Sequence, residues 1–305
     1  MRYSNSALKL ALHFLVSKSV VTGFQLAPSS YHVLSNTRLF STDSQSTEKE
    51  TTSNYDTTKS PWAPENNMEP IKKGINKSRF RQHVNPLARK FQMETELDTE
   101  WPNDGTFSDP SLPLHIDVGC GKGGFLLELA KHRLETPNES EGERNYLGLE
   151  IRPSVATFAK QRVAKRGLTG KIDFIGCNAN VDLDRILKKY TKYGGEIALV
   201  SIQYPDPHFK KSHQKRRVVT PEFVQTLVKH VKPGKQIFIQ SDIKDVLDNM
   251  RETIREFGGE YFEDSIPNLE EYMEENPIGV PTEREISVLD QDLPVYRTVF
   301  TRIDN

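Results

Sequence analysis

The chain has 305 residues, 35% of them hydrophobic, with a formal net charge of -1 and a mean hydropathy of -0.61. These values argue against one uniformly packed domain and indicate that part of the chain lies outside the core. The two cysteines, Cys120 and Cys177, exclude a disulfide framework, and no Cys/His cluster has metal-ligand spacing, so we expect no metal.

The first 45 residues have the composition of an organelle transit peptide. No acidic residue precedes Asp43, whereas basic residues are scattered among many Ser and Thr residues, as is typical of such leaders. The apolar stretch 8–21 is too short and too charged to span a membrane, so we expect no membrane contact. An untargeted tail on a cytoplasmic or nuclear protein stays open as the alternative.

Two processing patterns compete within this leader. Residues 38–42 resemble a mitochondrial cleavage site, whereas residues 22–24 followed by 27–28 resemble the bipartite leaders of complex plastids. Residues 46–76 are rich in Ser, Thr, Asn and Glu and cannot bury enough apolar surface to fold, which predicts a disordered linker. We therefore expect the folded domain to occupy residues 77–305.

A basic and aromatic segment at 79–91, RFRQHVNPLARKF, opens this domain. Its Asn85-Pro86 step predicts a turn rather than a continuous helix. We interpret the segment as an arm that lies along the domain and contacts cofactor or RNA. A plain packed N-terminal extension is the alternative.

An apolar strand is followed by a glycine-rich turn and a helix, an arrangement in which the backbone can approach a ligand closely. Gly119, Gly121 and Gly124 fit the G-x-G-x-x-G pattern of dinucleotide enzymes. Gly119, Gly121 and Gly123 fit the looser G-x-G-x-G of S-adenosylmethionine (SAM) enzymes. Asp117 favours SAM, because a carboxylate before the turn repels a pyrophosphate but suits the ammonium of a methionine moiety.

The next two strands deliver polar residues to the same end of the predicted sheet. Glu150 ends the strand 146–150, where a carboxylate can accept both hydroxyls of a ribose. The strand 172–175 leads to Asn178 and Ala179, which are well placed for the edge of an adenine.

Strands and helices alternate along the rest of the chain. We predict strands at 114–118, 146–150, 172–175, 197–206, 236–240 and 295–301, and helices at 125–131, 152–166, 182–190, 221–231 and 243–257. This alternation predicts an α/β fold with a mostly parallel, seven-stranded sheet and helices on both faces. The last strand has no predicted helix just before it and is expected to be antiparallel.

The stretch 197–217, IALVSIQYPDPHFKKSHQKRR, begins with an apolar strand. Pro205 cannot donate to a sheet ladder, so the strand should end there and place Asp206 at its carboxyl end. Open parallel sheets bind ligands outside such ends, which makes Asp206 a candidate contact for the reacting group. A rigid surface turn with a solvated Asp is the alternative.

A cationic run follows Asp206. Basic side chains interleaved with aromatic and imidazole rings are the groups that bind phosphates and stacked bases. The basic residues are Lys210, Lys211, Lys215, Arg216 and Arg217. Acidic residues within 263–275 balance them, so the small net charge conceals a field directed at a polyanion. A solvated helix face, a localisation signal, or pairing of Arg216 or Arg217 with those acids is the alternative.

With these motifs the chain resembles the tRNA (guanine-N7-)-methyltransferase family, in an organelle-targeted form, over about three quarters of its length. The matching segments are DVGCGKGGF, YLGLEIR, CNA, YPDPHFKKSHQKRR, QSD, PTERE and YRTVFTR. The resemblance implies a class I, Rossmann-like SAM-dependent methyltransferase that modifies guanine 46 in the tRNA variable loop. It also implies tRNA as partner; some relatives act alone and others need an accessory subunit.

The resemblance assigns roles to individual residues. It implies that SAM is bound by Asp117, Gly119, Gly121, Glu150, Arg152, Asn178, Ala179 and Gln203. Asp206 matches the catalytic aspartate of the family. The implied substrate contacts are Lys210, Asp242, Thr282, Glu283 and Glu285, and the implied tRNA-backbone contacts are Lys211, Lys215, Arg216 and Arg217. Arg284 departs from the family pattern, in which an aromatic or acidic residue is frequent.

Three other functions stay open on the sequence. An amino-group methyltransferase acting on adenine would use the Pro-Asp-Pro turn in place of an Asn/Asp-Pro-Pro-aromatic turn. A dinucleotide-dependent oxidoreductase would use the first glycine pattern. A non-catalytic tRNA-binding subunit would keep the fold without needing Asp206.

Overall fold

A computed structural model describes residues 84–137, 142–208 and 211–304; the predicted leader, the linker and the start of the arm lie outside these ranges. The strands are β1 (Leu114–Val118), β2 (Asn145–Glu150), β3 (Ile172–Gly176), β4 (Ile197–Gln203), β5 (Gln236–Ser241), β6 (Phe262–Asp264) and β7 (Tyr296–Arg302). The helices are α1 (Gly124–Glu135), α2 (Pro153–Lys165), α3 (Ala179–Lys192), α4 (Pro221–His230), α5 (Lys244–Gly258) and α6 (Glu283–Leu289). Within the described ranges, no helix combines the length and apolar character needed to cross a membrane.

The strands form one sheet in the order β3-β2-β1-β4-β5-β7-β6. Strands β1 to β5 run parallel, whereas β7 is antiparallel to both β5 and β6. Core residues of α3, α4 and α5, such as Ile186, Leu227 and Ile254, pack on one face of the sheet. Leu126 of α1 and Ala159 of α2 pack on the other face. The predicted α/β fold is confirmed, including its antiparallel last strand.

The strand order changes direction between β1 and β4. These two strands are parallel neighbours, with Val118 beside Ile202. The glycine turn after β1 and the Pro-Asp-Pro turn after β4 therefore leave the sheet at the same edge. In open α/β sheets this switch point is where ligands bind.

Two predicted element boundaries at this edge were wrong. Strand β4 ends at Gln203 rather than at 206, because Tyr204 takes a left-handed backbone with φ +50° and turns the chain before Pro205. Helix α3 begins at Ala179 rather than at 182, because Asn178 caps it: its side-chain oxygen accepts from the backbone N–H of Asn180 at 3.1 Å.

The prediction that no helix precedes the last strand was also wrong, because α6 lies there. Its N-terminus is a capping box: Thr282 Oγ1 accepts from the Glu285 N–H at 3.0 Å, and Glu285 Oε2 accepts from the Thr282 N–H at 3.4 Å. These two bonds satisfy N–H groups at the start of the helix, which stabilises a helix of only seven residues.

The acidic residues at 263–275 do not form one exposed surface. Asp264 is buried and pairs with Arg251, which is fully buried, at 2.6 Å. Arg251 also donates to the backbone carbonyls of Asn268, Leu269 and Glu271. This arginine therefore holds the segment after β6 against α5, and Asp264 is a structural ion-pair partner.

Candidate active site

The glycine turn after β1 has three residues in the left-handed region. Gly119, Gly121 and Gly123 have φ values of +87°, +55° and +73°, whereas Gly124 is the first residue of α1. A Cβ at Gly119 or Gly121 would meet nothing within 4 Å, but one at Gly123 would lie 2.5 Å from the Phe174 ring. The first two glycines therefore leave open space at the edge of the sheet, and the third permits close packing.

Asp117 is buried beneath this turn and is held by the neighbouring strand. Its Oδ1 accepts from Ser201 Oγ at 2.9 Å and from Gln203 Nε2 at 3.0 Å. Burial raises the pKa of the Asp117 carboxyl to about 6, although these two hydrogen bonds act in the opposite direction. The turn itself is held by the Gly119 and Cys120 N–H groups, which donate to the Leu149 carbonyl at 2.8 and 3.0 Å.

Glu150, at the end of β2, is buried and accepts hydrogen bonds from Arg152. Glu150 Oε1 accepts from Arg152 Nε at 2.7 Å and from its backbone N–H at 2.9 Å, and Oε2 accepts from the guanidinium at 3.0 Å. This fork fixes the orientation of the carboxylate. The hydrogen bonds that Arg152 donates to Glu150 raise the pKa of Arg152, and the negative charge of Asp206 adds to that effect.

Asn178 connects the cofactor side of the sheet to the N-terminal arm. Its Nδ2 donates to the carbonyl of Phe91 at 2.9 Å, and Phe91 is itself buried. The Thr95 N–H donates to Asp182 Oδ1 at 3.1 Å. The described part of the arm therefore lies along the domain beside Ala179 and the start of α3, while residues 79–83 lie outside the described ranges.

Asp206 is exposed and lines a cavity of about 420 Å³, whose lining residues include none from the glycine turn. The cavity lies between the loop after β4 and the first turns of α5, and Asp245 and Asp248 line its far side. Arg217 donates to the His208 carbonyl at 3.3 and 3.1 Å, which closes the loop that carries Asp206.

The basic run is only partly described. Lys210 lies outside the described residues, and Lys211 begins a short 3₁₀ helix that ends at Arg216. Lys215 in this helix is exposed and Arg216 is half-buried. Arg217 contacts the His208 carbonyl, so within the described ranges it orders the loop; its contact with tRNA stays a prediction.

The residues implied to bind substrate fall into two groups. Thr282 and Glu285 use their side chains in the capping box, and Glu285 also accepts from Arg297 at 3.0 Å. Glu283 is exposed, and Asp242 forms an ion pair with Arg284. The resemblance left the role of Arg284 undefined. In the structure Arg284 pairs with Asp242, a predicted substrate contact.

Sequence reasoning missed four buried or strained residues at this edge: Ser201, Tyr204, Gln240 and Arg297. Ser201 and Gln203 alternate with apolar residues in β4, whereas Gln240 follows three apolar residues near the end of β5. Polar side chains at every second position of buried strands indicate a polar row on one face of the sheet. That signal could have found Ser201.

The switch-point crevice, its open glycine turn and the buried acids at the ends of β1 and β2 define a class I SAM-dependent methyltransferase. A family model described as "Putative methyltransferase" matches residues 111–298, more than half of the chain. The tRNA (guanine-N(7)-)-methyltransferase of Synechococcus elongatus is 42% identical over 229 residues, 73% of this chain and 96% of that protein. The protein of that name from Prochlorococcus marinus strain MIT 9313 is 39% identical and covers 74% of this chain and 89% of its own.

The chain belongs to the tRNA (guanine-N7-)-methyltransferase family. Among solved structures it is similar to a precorrin-6y C5,15-methyltransferase from Geobacter metallireducens, with 14% identity and a TM-score of 0.37. That likeness covers 62% of this chain and 78% of the other. It is weak, and the fold stands on the observed strand order.

Proposed function

We propose that this protein methylates N7 of guanine 46 in the tRNA variable loop and that Asp206 orients the base. Members of its family transfer a methyl group from SAM to N7 of a guanine in tRNA. The observation that carries the proposal is the adjacency of β1 and β4, which puts the glycine turn and Asp206 at one edge of the sheet.

The residues at the ends of β1 to β4 fit SAM. The open space over Gly119 and Gly121 leaves room for a ligand against the backbone, and the Asp117 carboxylate, held by Gln203, suits an ammonium group. Glu150, whose two oxygens already accept from Arg152, would accept ribose hydroxyls with its remaining acceptor capacity. Asn178 and Ala179, at the start of α3, lie where the adenine edge would be read. SAM supplies the methyl group as an electrophile.

Guanine N7 has an in-plane lone pair and carries no proton, so the reaction needs no general base. Catalysis then consists mainly of orientation, which can supply on the order of 7–11 kcal/mol. Asp206 would accept hydrogen bonds from the guanine N1–H and N2 amino groups, worth roughly 1.5–3 kcal/mol each. Its negative charge also stabilises the purine as it becomes cationic.

The remaining predicted residues would hold the tRNA around that base. Asp242, Thr282, Glu283 and Glu285 surround the start of α6, and Lys210 follows the catalytic loop. The phosphates would be bound by Lys211, Lys215, Arg216 and Arg217. Because such contacts release counterions, the affinity for tRNA should fall steeply with salt.

The test uses the full-length protein, SAM and two tRNA transcripts that differ only in G or A at position 46. After reaction, borohydride and aniline cleave the chain at N7-methylguanine. We expect cleavage at position 46 of the first transcript and none in the second. Methyl groups on an exocyclic amine of adenine would identify the amino-group reaction instead. Tight SAM and tRNA binding without any methyl transfer would indicate either a non-catalytic subunit or the need for an accessory subunit.

We also propose that the leader directs the protein to an organelle. The acid-free composition of residues 1–42 supports targeting, and the cyanobacterial relatives named above favour the plastid over the mitochondrion. A fusion of residues 1–76 to a fluorescent protein should locate in plastids. Diffuse cytoplasmic fluorescence would contradict targeting.

A further inference from the structure

A row of four buried polar side chains crosses the sheet on the face that packs against α1. It runs from Asp117 on β1 through Gln203 on β4 and Gln240 on β5 to Glu285 in α6, and none of the four is more than 8% exposed. Gln203 Nε2 donates to Asp117 Oδ1 at 3.0 Å, and Gln240 Nε2 donates to Gln203 Oε1 at 2.7 Å and to Glu285 Oε2 at 3.2 Å. Unbroken hydrogen bonds thus join the two carboxylates.

The two end carboxylates determine how the amides point. An ionised carboxylate only accepts hydrogen bonds, so Gln203 must turn its amino group to Asp117 and its oxygen to Gln240. Gln240 must then use its amino group for both Gln203 and Glu285. Flipping either amide would set its oxygen against a carboxylate, so the order of the row is fixed by charge.

This order leaves one buried atom unsatisfied. Gln240 Oε1 has no hydrogen-bond partner within the described residues, and a buried acceptor without a partner destabilises the folded state. An apolar pair at Gln203 and Gln240 would avoid that cost. The retained polar row therefore points to a role beyond packing.

The two ends of the row belong to two binding sites. Asp117 lies under the glycine turn, where the amino group of the cofactor would bind. Glu285 closes the capping box of α6 and pairs with Arg297, so it sets the conformation of the segment implied to contact the guanine. A cation at Asp117 keeps this carboxyl ionised and able only to accept from Gln203, which holds the order of the row, and hydrogen bonds in a chain polarise one another.

We propose that Gln240 is a positioning residue that couples cofactor binding at Asp117 to tRNA binding at α6. This inference rests on the proposed function, since it takes the two ends of the row as cofactor and substrate sites. Coupling is reciprocal, so the cofactor should tighten tRNA binding by the same factor by which tRNA tightens cofactor binding.

The test replaces Gln240 by Met, which has similar length and no hydrogen-bonding amide. The Kd for tRNA is measured on the full-length protein with and without saturating S-adenosylhomocysteine, which carries the same amino group and cannot react. The Kd for S-adenosylhomocysteine is then measured with and without tRNA. We expect a factor of about ten in both directions for the wild type, and a factor below about two for Gln240→Met.

Thr298→Val is the matched control. Thr298 on β7 is as buried as Gln240 and donates to Asp264 Oδ1 at 2.6 Å, outside the row. This variant loses a buried hydrogen bond but should keep the wild-type coupling factor. If Gln240→Met does not fold, Gln203→Met removes the adjacent link and should abolish the coupling in the same way.

An unchanged coupling factor in Gln240→Met, or no coupling in the wild type, overturns the inference. Both readouts are binding constants and do not require methyl transfer. If the wild-type protein forms N7-methylguanine, detected by borohydride and aniline cleavage, but shows no coupling, only the proposed role of the polar row is refuted. A protein that binds both ligands with coupling but does not methylate guanine supports the row and counts only against methylation by this chain acting alone.

Discussion

At the scale of single residues, Asp117 is a buried carboxylate. Among the described residues, the side chains that donate hydrogen bonds to it, Ser201 and Gln203, are both neutral. Its pKa of about 6 lies above the ordinary 3.8, so between these values the folded protein keeps a proton that the unfolded chain has released. As the pH rises from 4 to 6, this carboxyl alone should lower the stability of the unliganded protein by about 3 kcal/mol, whereas His115, whose pKa burial lowers, raises it over the same range. Asp117→Asn should remove this loss.

The measurement is the free energy of unfolding of both proteins from pH 4 to pH 8, without cofactor. The difference between variant and wild type should grow up to about pH 6 and then level off. Burial lowers the pKa of neighbouring His115 to about 3, but His115 is present in both proteins, so its effect cancels in the difference. Parallel curves would contradict the account, and the variant should also bind SAM more weakly.

At the scale of elements, α6 owes its start to Thr282. Replacing Thr282 by Val removes the side-chain acceptor for the Glu285 N–H, which should cost about 1 kcal/mol in urea unfolding. Because Glu285 also bonds Gln240 and Arg297, tRNA binding should weaken too. Thr282→Ser keeps the hydroxyl and should retain both properties; a Val variant with wild-type stability would show that the cap does not hold the helix.

The sequence predicted the elements with strong periodicity and missed those set by single residues. The apolar runs of β1 to β5 predicted a parallel sheet, and the glycine spacing located the ligand edge. Helix α6 was missed because it has only seven residues, although the Thr282-x-x-Glu285 spacing is a capping-box signature. The end of β4 was misplaced because nothing in the sequence requires Tyr204 to take a positive φ.

The polar row was not predictable from the sequence for a different reason. Gln203 and Gln240 are 37 residues apart, and their contact depends on the pairing of β4 with β5. Strand order, unlike strand position, is a property of the folded sheet. The contact between the two glutamines could therefore be seen only in the folded structure, in which β4 and β5 are neighbours.

At the scale of the whole molecule, the fold assembles the site from segments that are distant in the chain. The pairing of β1 with β4 makes the glycine turn and the Pro-Asp-Pro turn leave the sheet at the same edge, and Ser201 bonds Asp117 across 84 residues of chain. The 3₁₀ helix from Lys211 to Arg216 follows directly and supplies positive charge at that edge. In the proposed function, this charge would draw the tRNA towards Asp206.

The most direct test of this account is the single-turnover rate of guanine N7 methylation by Asp206→Asn under saturating SAM and tRNA. Because Asn keeps the shape but loses the charge, we expect the rate to fall roughly 10- to 100-fold, as the loss of charge-assisted hydrogen bonds implies, with both affinities retained. Asp245→Asn, which alters a carboxylate on the other side of the same cavity, should keep the wild-type rate. A wild-type rate for Asp206→Asn would contradict the assignment of Asp206.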